Sequence, residues 1–250
     1  MPEEGTVQAR VLIVLASSCF RSNYMYAEKF EYKDTILEVK ADRDIGDFVR
    51  KSIVERRQEL DAYITRDREF RVSFEPVGLK PGAPEIARIM AAAAEKAGVG
   101  PMAAVAGAVS ELLVREGVKN GIKWVIAENG GDICLYGDHD FVISLYAGKS
   151  PLSNKIGFSL NPGKKVYGVC TSSASVGHSI SLGKSDAVTV FARSAAVADA
   201  FATAIGNKVE KVEDGIEFAE EFIGNEIDGV VIIKGSEIGK IGKLPEIVRV

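Results

Sequence analysis

Asn129-Gly130-Gly131 stands between two short apolar runs, residues 124–128 (WVIAE) and 132–136 (DICLY). Asn-Gly accepts the positive φ angles that a two-residue hairpin turn demands, so these runs are predicted to be neighbouring antiparallel strands. Residues 141–146 (FVISLY) form the next strand, after a turn at 137–140. NKIGFSL and VYGVCTS follow as two more, separated by Asn161-Pro162-Gly163, and residues 187–192 (AVTVFA) read as a buried strand. A chain that folds back on itself this often cannot be a doubly wound parallel sheet, whose strands need long crossovers.

The helices come in blocks. Residues 45–64 carry apolar side chains at Ile45, Phe48, Val49, Ile53, Leu60 and Ile64, which is helical spacing. Residues 84–97 are Ala-rich and close at Gly98, and Pro101 opens a second Ala-rich helix to about Val118. Ser194 caps a helix from Ala195 to about Ile205, and residues 214–223 form another. Residues 30–40 read as one strand, 72–74 as a short one, and 229–233 and the final IVRV as late strands. Runs of strands and blocks of helices predict an α+β fold with antiparallel or mixed sheets. No linker or short repeat divides it, so residues 25–250 are expected to be one domain.

Residues 1–24 are expected to be a poorly ordered extension. The apolar run of residues 11–19 ends in Cys19, as a lipid-accepting leader would, but it is far shorter than the roughly 20 residues that span a bilayer. Glu3 and Glu4 precede it with only Arg10, the wrong charge balance for a signal segment. The expected location is the cytoplasm, with no membrane partner. Lys and Arg total 31 against 35 Asp and Glu, for a net charge of −4, so no basic excess exists to neutralise nucleic-acid phosphates. Three cysteines (Cys19, Cys134, Cys170) without CxxC spacing, and two histidines (His139, His178), argue against a disulfide framework and a His-rich metal centre.

Two phosphate-loop patterns fail on context. Gly98-x-Gly100-x-x-Ala103 is entered from a helix, whereas a dinucleotide fingerprint is entered from a strand. Gly183-Lys184-Ser185 lacks the right upstream glycine and runs into a strand. Three segments remain. Glu128, Asn129, Gly130, Gly131 and Asp132 combine close backbone access with directional polar groups. Residues 170–179 (CTSSASVGHS) hold Cys170, Ser172, Ser173, Gly177 and His178 in a polar stretch. Asp199 and Thr203, four residues apart, share one helix face and could hold a hard cation such as Mg²⁺. Together with the helix-start amides near Gly100, they predict a pocket for a small phosphate-bearing ligand.

ENGGDI, GHS and AVTVFARSAAVADAFATAIGN, in that order, resemble the ApbE-like superfamily, best known for FAD:protein FMN transferases. GVGPMAAVAGAV, AGKSPLSNKIG and GVCTSSASVGHS bring the chain closest to an uncharacterised branch, over about residues 30–250. The resemblance implies an α+β fold of two fused, related halves and a pocket for FAD or FMN. It implies Mg²⁺ at Asp199 and Thr203, with His178 as general acid or base. Two features depart from the transferases. Their helix motif ends Lys-Gly-Tyr, but the matching stretch here is Val105-Ala106-Gly107-Ala108, with Ala106 in the lysine's place. Their histidine is followed by Asp-Pro-x-x-Gly, whereas His178 precedes Ser179-Ile180-Ser181. Three functions stay open: cleavage or transfer of the flavin nucleotide, non-catalytic nucleotide binding, and sulfur handling in sulfide assimilation, with Cys170 as the persulfide carrier and Cys134 beside it. The oligomeric state stays open.

Overall fold

The structure, a computed structural model, describes residues 12–14, 26–173 and 184–250. Its centre is an eight-stranded sheet, antiparallel throughout. Strands β2 (Tyr26–Tyr32), β3 (Thr35–Ala41), β4 (Val125–Asn129) and β5 (Asp132–Tyr136) lie side by side in that order. Strands β8 (Tyr167–Ser172), β9 (Ala187–Ala192), β10 (Gly229–Lys234) and β11 (Glu237–Gly242) continue the sheet from β5. Each set of four is two strands, then helices, then two strands. The first inserts α1 (Gly46–Arg66), α2 (Arg68–Val72), α3 (Glu85–Ala97), a 3₁₀ turn (Pro101–Ala104) and α4 (Val105–Lys119). The second inserts α5 (Ala195–Gly206) and α6 (Val212–Glu220). The seam between these two related halves is the β5–β8 pair.

Alternation along the strands gives the sheet two apolar faces. Leu37, Val39, Ala127, Cys134, Cys170 and Val190 face the helices and share one core with Val49 and Leu60 of α1, Met90 of α3, Leu113 of α4 and Phe201 of α5. Ile126, Ile133, Leu135, Val169 and Phe191 face the other way, onto a second sheet. That sheet runs β1 (Leu12–Val14), β6 (Phe141–Ser144), β7 (Ile156–Leu160), β12 (Glu246–Arg249), and the Phe158 ring meets Phe191 edge-on at 4.9 Å. Helices, large sheet and small sheet thus stack in three layers. No single helix among the described residues is long and apolar enough to cross a membrane.

Several elements differ from expectation. Residues 30–40 are not one strand: β2 and β3 form a hairpin that turns at Lys33, whose φ is +53°. Residues 72–74 are not a strand but the end of α2 and the bend after it. Strand β11 was missed because Glu237, Gly239, Lys240 and Gly242 give it no apolar run; it is an edge strand that, among the described residues, pairs only to β10. Within the supposedly unordered extension, Leu12–Val14 pair with Ser144–Val142 as β1.

Candidate functional site

The Asn129–Asp132 turn is built as its sequence requires, with Gly130 at φ +65° and Gly131 at φ +105°. It docks on the first turns of α4: Asn129 Nδ2 donates to the Ala106 carbonyl at 3.4 Å, and Ser110 Oγ donates to the Asp132 carbonyl at 3.1 Å. Register sets Asp132 opposite Asn129 on one side and opposite Cys170 on the other. All three face the helices. Glu128 does not: alternation puts it on the opposite face, with Ile126, although its charge still acts on Asp132.

Asp199 reaches the same spot from α5. Its Oδ2 accepts the Gly107 amide at 2.9 Å, and its carboxylate also accepts the Ala106 amide. These are unsatisfied N-terminal donors of α4, whose own cap residue, Ala104, supplies no side-chain bond. Asp199 therefore caps a neighbouring helix. The favour is returned: Glu111 of α4, fully buried, accepts Ser194 Oγ at 2.6 Å and the Ala196 amide at 3.1 Å at the start of α5, and pairs with Arg115. Each helix caps the other. The arrangement needs close approach, and a Cβ on Gly107 would lie 2.3 Å from the Ala195 oxygen.

Two carboxylates thus meet at the seam. Burial, then the charge of Asp199, pushes Asp132 well above the ordinary carboxylate range. Its Oδ1 is enclosed and has no hydrogen-bond partner among the described residues. Burial also pushes Asp199 up, to about 7, against the pull of the Gly107 and Ala106 amides. The Cys170 thiol donates to the Ala195 carbonyl at 3.2 Å and faces the Asp132 carboxylate. Burial, then that carboxylate, pushes the thiol well up; Cys134 is likewise buried and raised. Neither has thiolate character at neutral pH. Cys170 lies inside β8, not in a polar loop, which corrects its expected role as a catalytic sulfur carrier.

The other expected residues divide. Ser172 ends β8, half-buried on the Cys170 side, and Ser173 is buried after it. Thr203, half-buried, stands one turn beyond Asp199 on α5. Gly177 and His178 lie outside the described residues. Gly100 is corrected: a Cβ there would fall 1.8 Å from the Ser73 carbonyl oxygen, so the glycine permits backbone packing. Further along, the Ala106 and Gly107 amides in the first turn of α4 are taken by Asp199. Glu111 escaped sequence reading, and its only trace there is a lone acid inside AVSELLV. No group of three or more His, Cys, Asp or Glu among the described residues is arranged to hold a metal ion. Mg²⁺ needs fewer protein ligands, since it keeps waters and takes phosphate oxygens. An orphaned Asp132 oxygen beside Asp199 fits that requirement.

This fold is that of the ApbE flavin transferases. The chain is similar to flavin transferase ApbE from Vibrio cholerae, with a TM-score of 0.58 and 14% identity over 87% of this chain and 96% of that one. It is also similar to the apo form of the flavinyl transferase ApbE from Pseudomonas stutzeri, with a TM-score of 0.59 and 14% identity over 87% of this chain and 94% of that one. At such identity the likeness shows the fold alone. The chain belongs to the family described as AbpE bacteria, whose model matches residues 20–233. Two relatives are named UPF0280 proteins. That of Methanocaldococcus jannaschii is 45% identical over 90% of this chain and 93% of its own length, and that of Methanococcus vannielii is 43% identical over 90% and 94%.

Proposed function

We propose that the chain binds a flavin nucleotide, FMN or FAD, at the seam between its two halves, where the Asp132 and Asp199 carboxylates would hold Mg²⁺. One observation carries this reading: two acids from distant segments are forced together, and the enclosed Asp132 Oδ1 has no hydrogen-bond partner among the described residues. Burying like charges side by side is costly, and a divalent cation relieves the cost. Thr203, one turn from Asp199, would add a hydroxyl. When bound, Mg²⁺ would offset phosphate charge and polarise a phosphoryl oxygen. The chain's own part is to hold the acids in place by the mutual caps of α4 and α5, and to keep a proton on the pair.

Binding is favoured over flavin transfer by what stands at the mouth of α4. Ala106 contributes only backbone groups, its amide to Asp199 and its carbonyl to Asn129. Sulfur handling loses support because Cys170 is buried and protonated.

Calorimetric titration with FMN and FAD, in Mg²⁺ and in EDTA, tests this. Binding should need Mg²⁺ and be lost in Asp132→Asn. Equal binding in EDTA, unchanged in that variant, would refute the metal assignment. Mass spectrometry of the FAD mixture for AMP separates a binder from a pyrophosphate-cleaving enzyme.

A further inference from the structure

A second place in the fold has the makings of a site, at the opposite end of the β4–β5 hairpin. Val125 pairs with Tyr136 there, four residues from the Asn129–Asp132 turn, or about 13 Å at ~3.3 Å per residue. A cavity of about 480 Å³ opens at this end, lined by Lys123, Trp124, Tyr136, Asp138, His139 and Lys164 among others. That is within the size of small-molecule sites.

Three independent features converge on it. The first is aromatic: the Trp124 ring meets His139 edge-on at 5.4 Å, and His139 lies 4.1 Å from the buried Phe141 ring, so the wall is braced. The second is an unmet polar group, since His139 Nε2 is enclosed and has no hydrogen-bond partner among the described residues. Such an atom costs free energy unless something answers it. The third is strain. Lys164 sits at φ +58°, a region that disfavours side chains, and its amide is pinned to the Gly137 carbonyl at 2.8 Å. Its ammonium reaches Asp138 at 3.2 Å with both groups exposed, a weak pair that another anion can replace. Lys123, also exposed, has no ion-pair partner among the described residues.

We propose that this cavity is a binding site for a small planar aromatic anion, its ring against Trp124 and Tyr136, its acidic group between Lys123 and Lys164, and one of its polar atoms answering the His139 imidazole. An aromatic carboxylate and a nucleoside monophosphate share that chemistry. The site shares no residue with the Asp132–Asp199 cluster and does not rest on the function proposed for it.

Trp124 is the chain's single tryptophan, so its emission reports on this cavity. Benzoate and AMP are titrated separately into the full chain in EDTA, with excitation at the red edge of the indole band. A saturable change with at least one of them is expected; which one binds names the acidic group. His139→Phe keeps a ring on Phe141 but removes the nitrogens. Lys164→Gly removes the ammonium at a backbone geometry glycine prefers. Each should weaken binding about tenfold, ~1.4 kcal/mol. Asp199→Asn should leave it unchanged. No saturable response to either probe, or a response lost in Asp199→Asn but kept in both cavity variants, would overturn the proposal.

Discussion

Replacing Asp199 by asparagine should reverse its effect on stability between acid and alkaline solution. Asp199 is raised in the folded state from an ordinary 3.8 to about 7, chiefly by burial. At ~1.4 kcal/mol per pH unit, that rise of about three units corresponds to about 4 kcal/mol. The sign follows from proton counting. Between about pH 4 and pH 7 the folded chain keeps a proton that the unfolded chain releases, so stability falls as pH rises through this window. Below it both states are protonated and nothing is lost; above it the full penalty stands. Asparagine never ionises and escapes the penalty. It offers one acceptor oxygen where the carboxyl group, protonated or not, has two, so one of the Ala106 and Gly107 amides is left unanswered, at ~1–3 kcal/mol. The variant should therefore be less stable than the parent near pH 4.5 and equally or more stable near pH 8, the difference moving by about 3 kcal/mol. Urea unfolding in EDTA at both pH values measures it. Parallel pH profiles for parent and variant would mean that Asp199 is ionised in the fold, and the account of the seam would fail.

Other consequences are simpler. Glu111→Ala strands the buried Ala196 amide and removes the partner of the Ser194 hydroxyl, and should cost ~1–3 kcal/mol, with Glu111→Gln costing less because Arg115 is exposed enough to be solvated; urea midpoints test both. Gly107→Ala drives a methyl to within 2.3 Å of the Ala195 oxygen and should lower stability by ~1–3 kcal/mol, although alanine is the better helix former; a thermal melt gives the sign. Cys134 and Cys170, buried and protonated, should resist iodoacetamide in the native chain at neutral pH and react on unfolding, as peptide mass mapping would reveal.

The fold was readable wherever a local rule sufficed. Asn-Gly-Gly specified the β4–β5 hairpin, the Ser194 side chain caps α5 through the Val197 amide, and Gly98 closes α3 at φ +67°. Legibility failed where a strand is held by its partner instead of its composition. Strand β11 has exposed Glu and Lys with glycines between them, and its order comes from the β10 ladder and from α6 packed against Gly239. The site was half legible for a related reason. Asn129, Asp132 and Asp199 stand out as polar groups in apolar surroundings, and they do converge. Glu128 looked equivalent to them, but a period of two sends adjacent residues to opposite faces, and only the burial of Ile126 and Ala127 on different faces settles which is which.

The least legible feature is the mutual capping of α4 and α5, because neither half of it is local. A capping residue is normally sought immediately before its helix. Here the α4 cap lies 92 residues downstream of the Gly107 amide it serves, and Glu111 serves the Ala196 amide 85 residues ahead. Both acids sit mid-helix, where sequence reading assigns an acid to solvent or to a metal. The pattern is intelligible from the architecture: the two halves meet at β5 and β8, so α4, packed on β5, and α5, packed on β8, cross at the seam and can serve each other. That same crossing brings Asp199 against Asp132. A metal role and a capping role for Asp199 are therefore compatible, since a carboxylate has lone pairs enough for two amides and a cation. Cation binding should then lower the raised acids and stiffen the α4 start, and Mg²⁺ should slow amide exchange at Ala106 and Gly107 in the parent but not in Asp132→Asn. Exchange slowed equally in both would place the cation elsewhere.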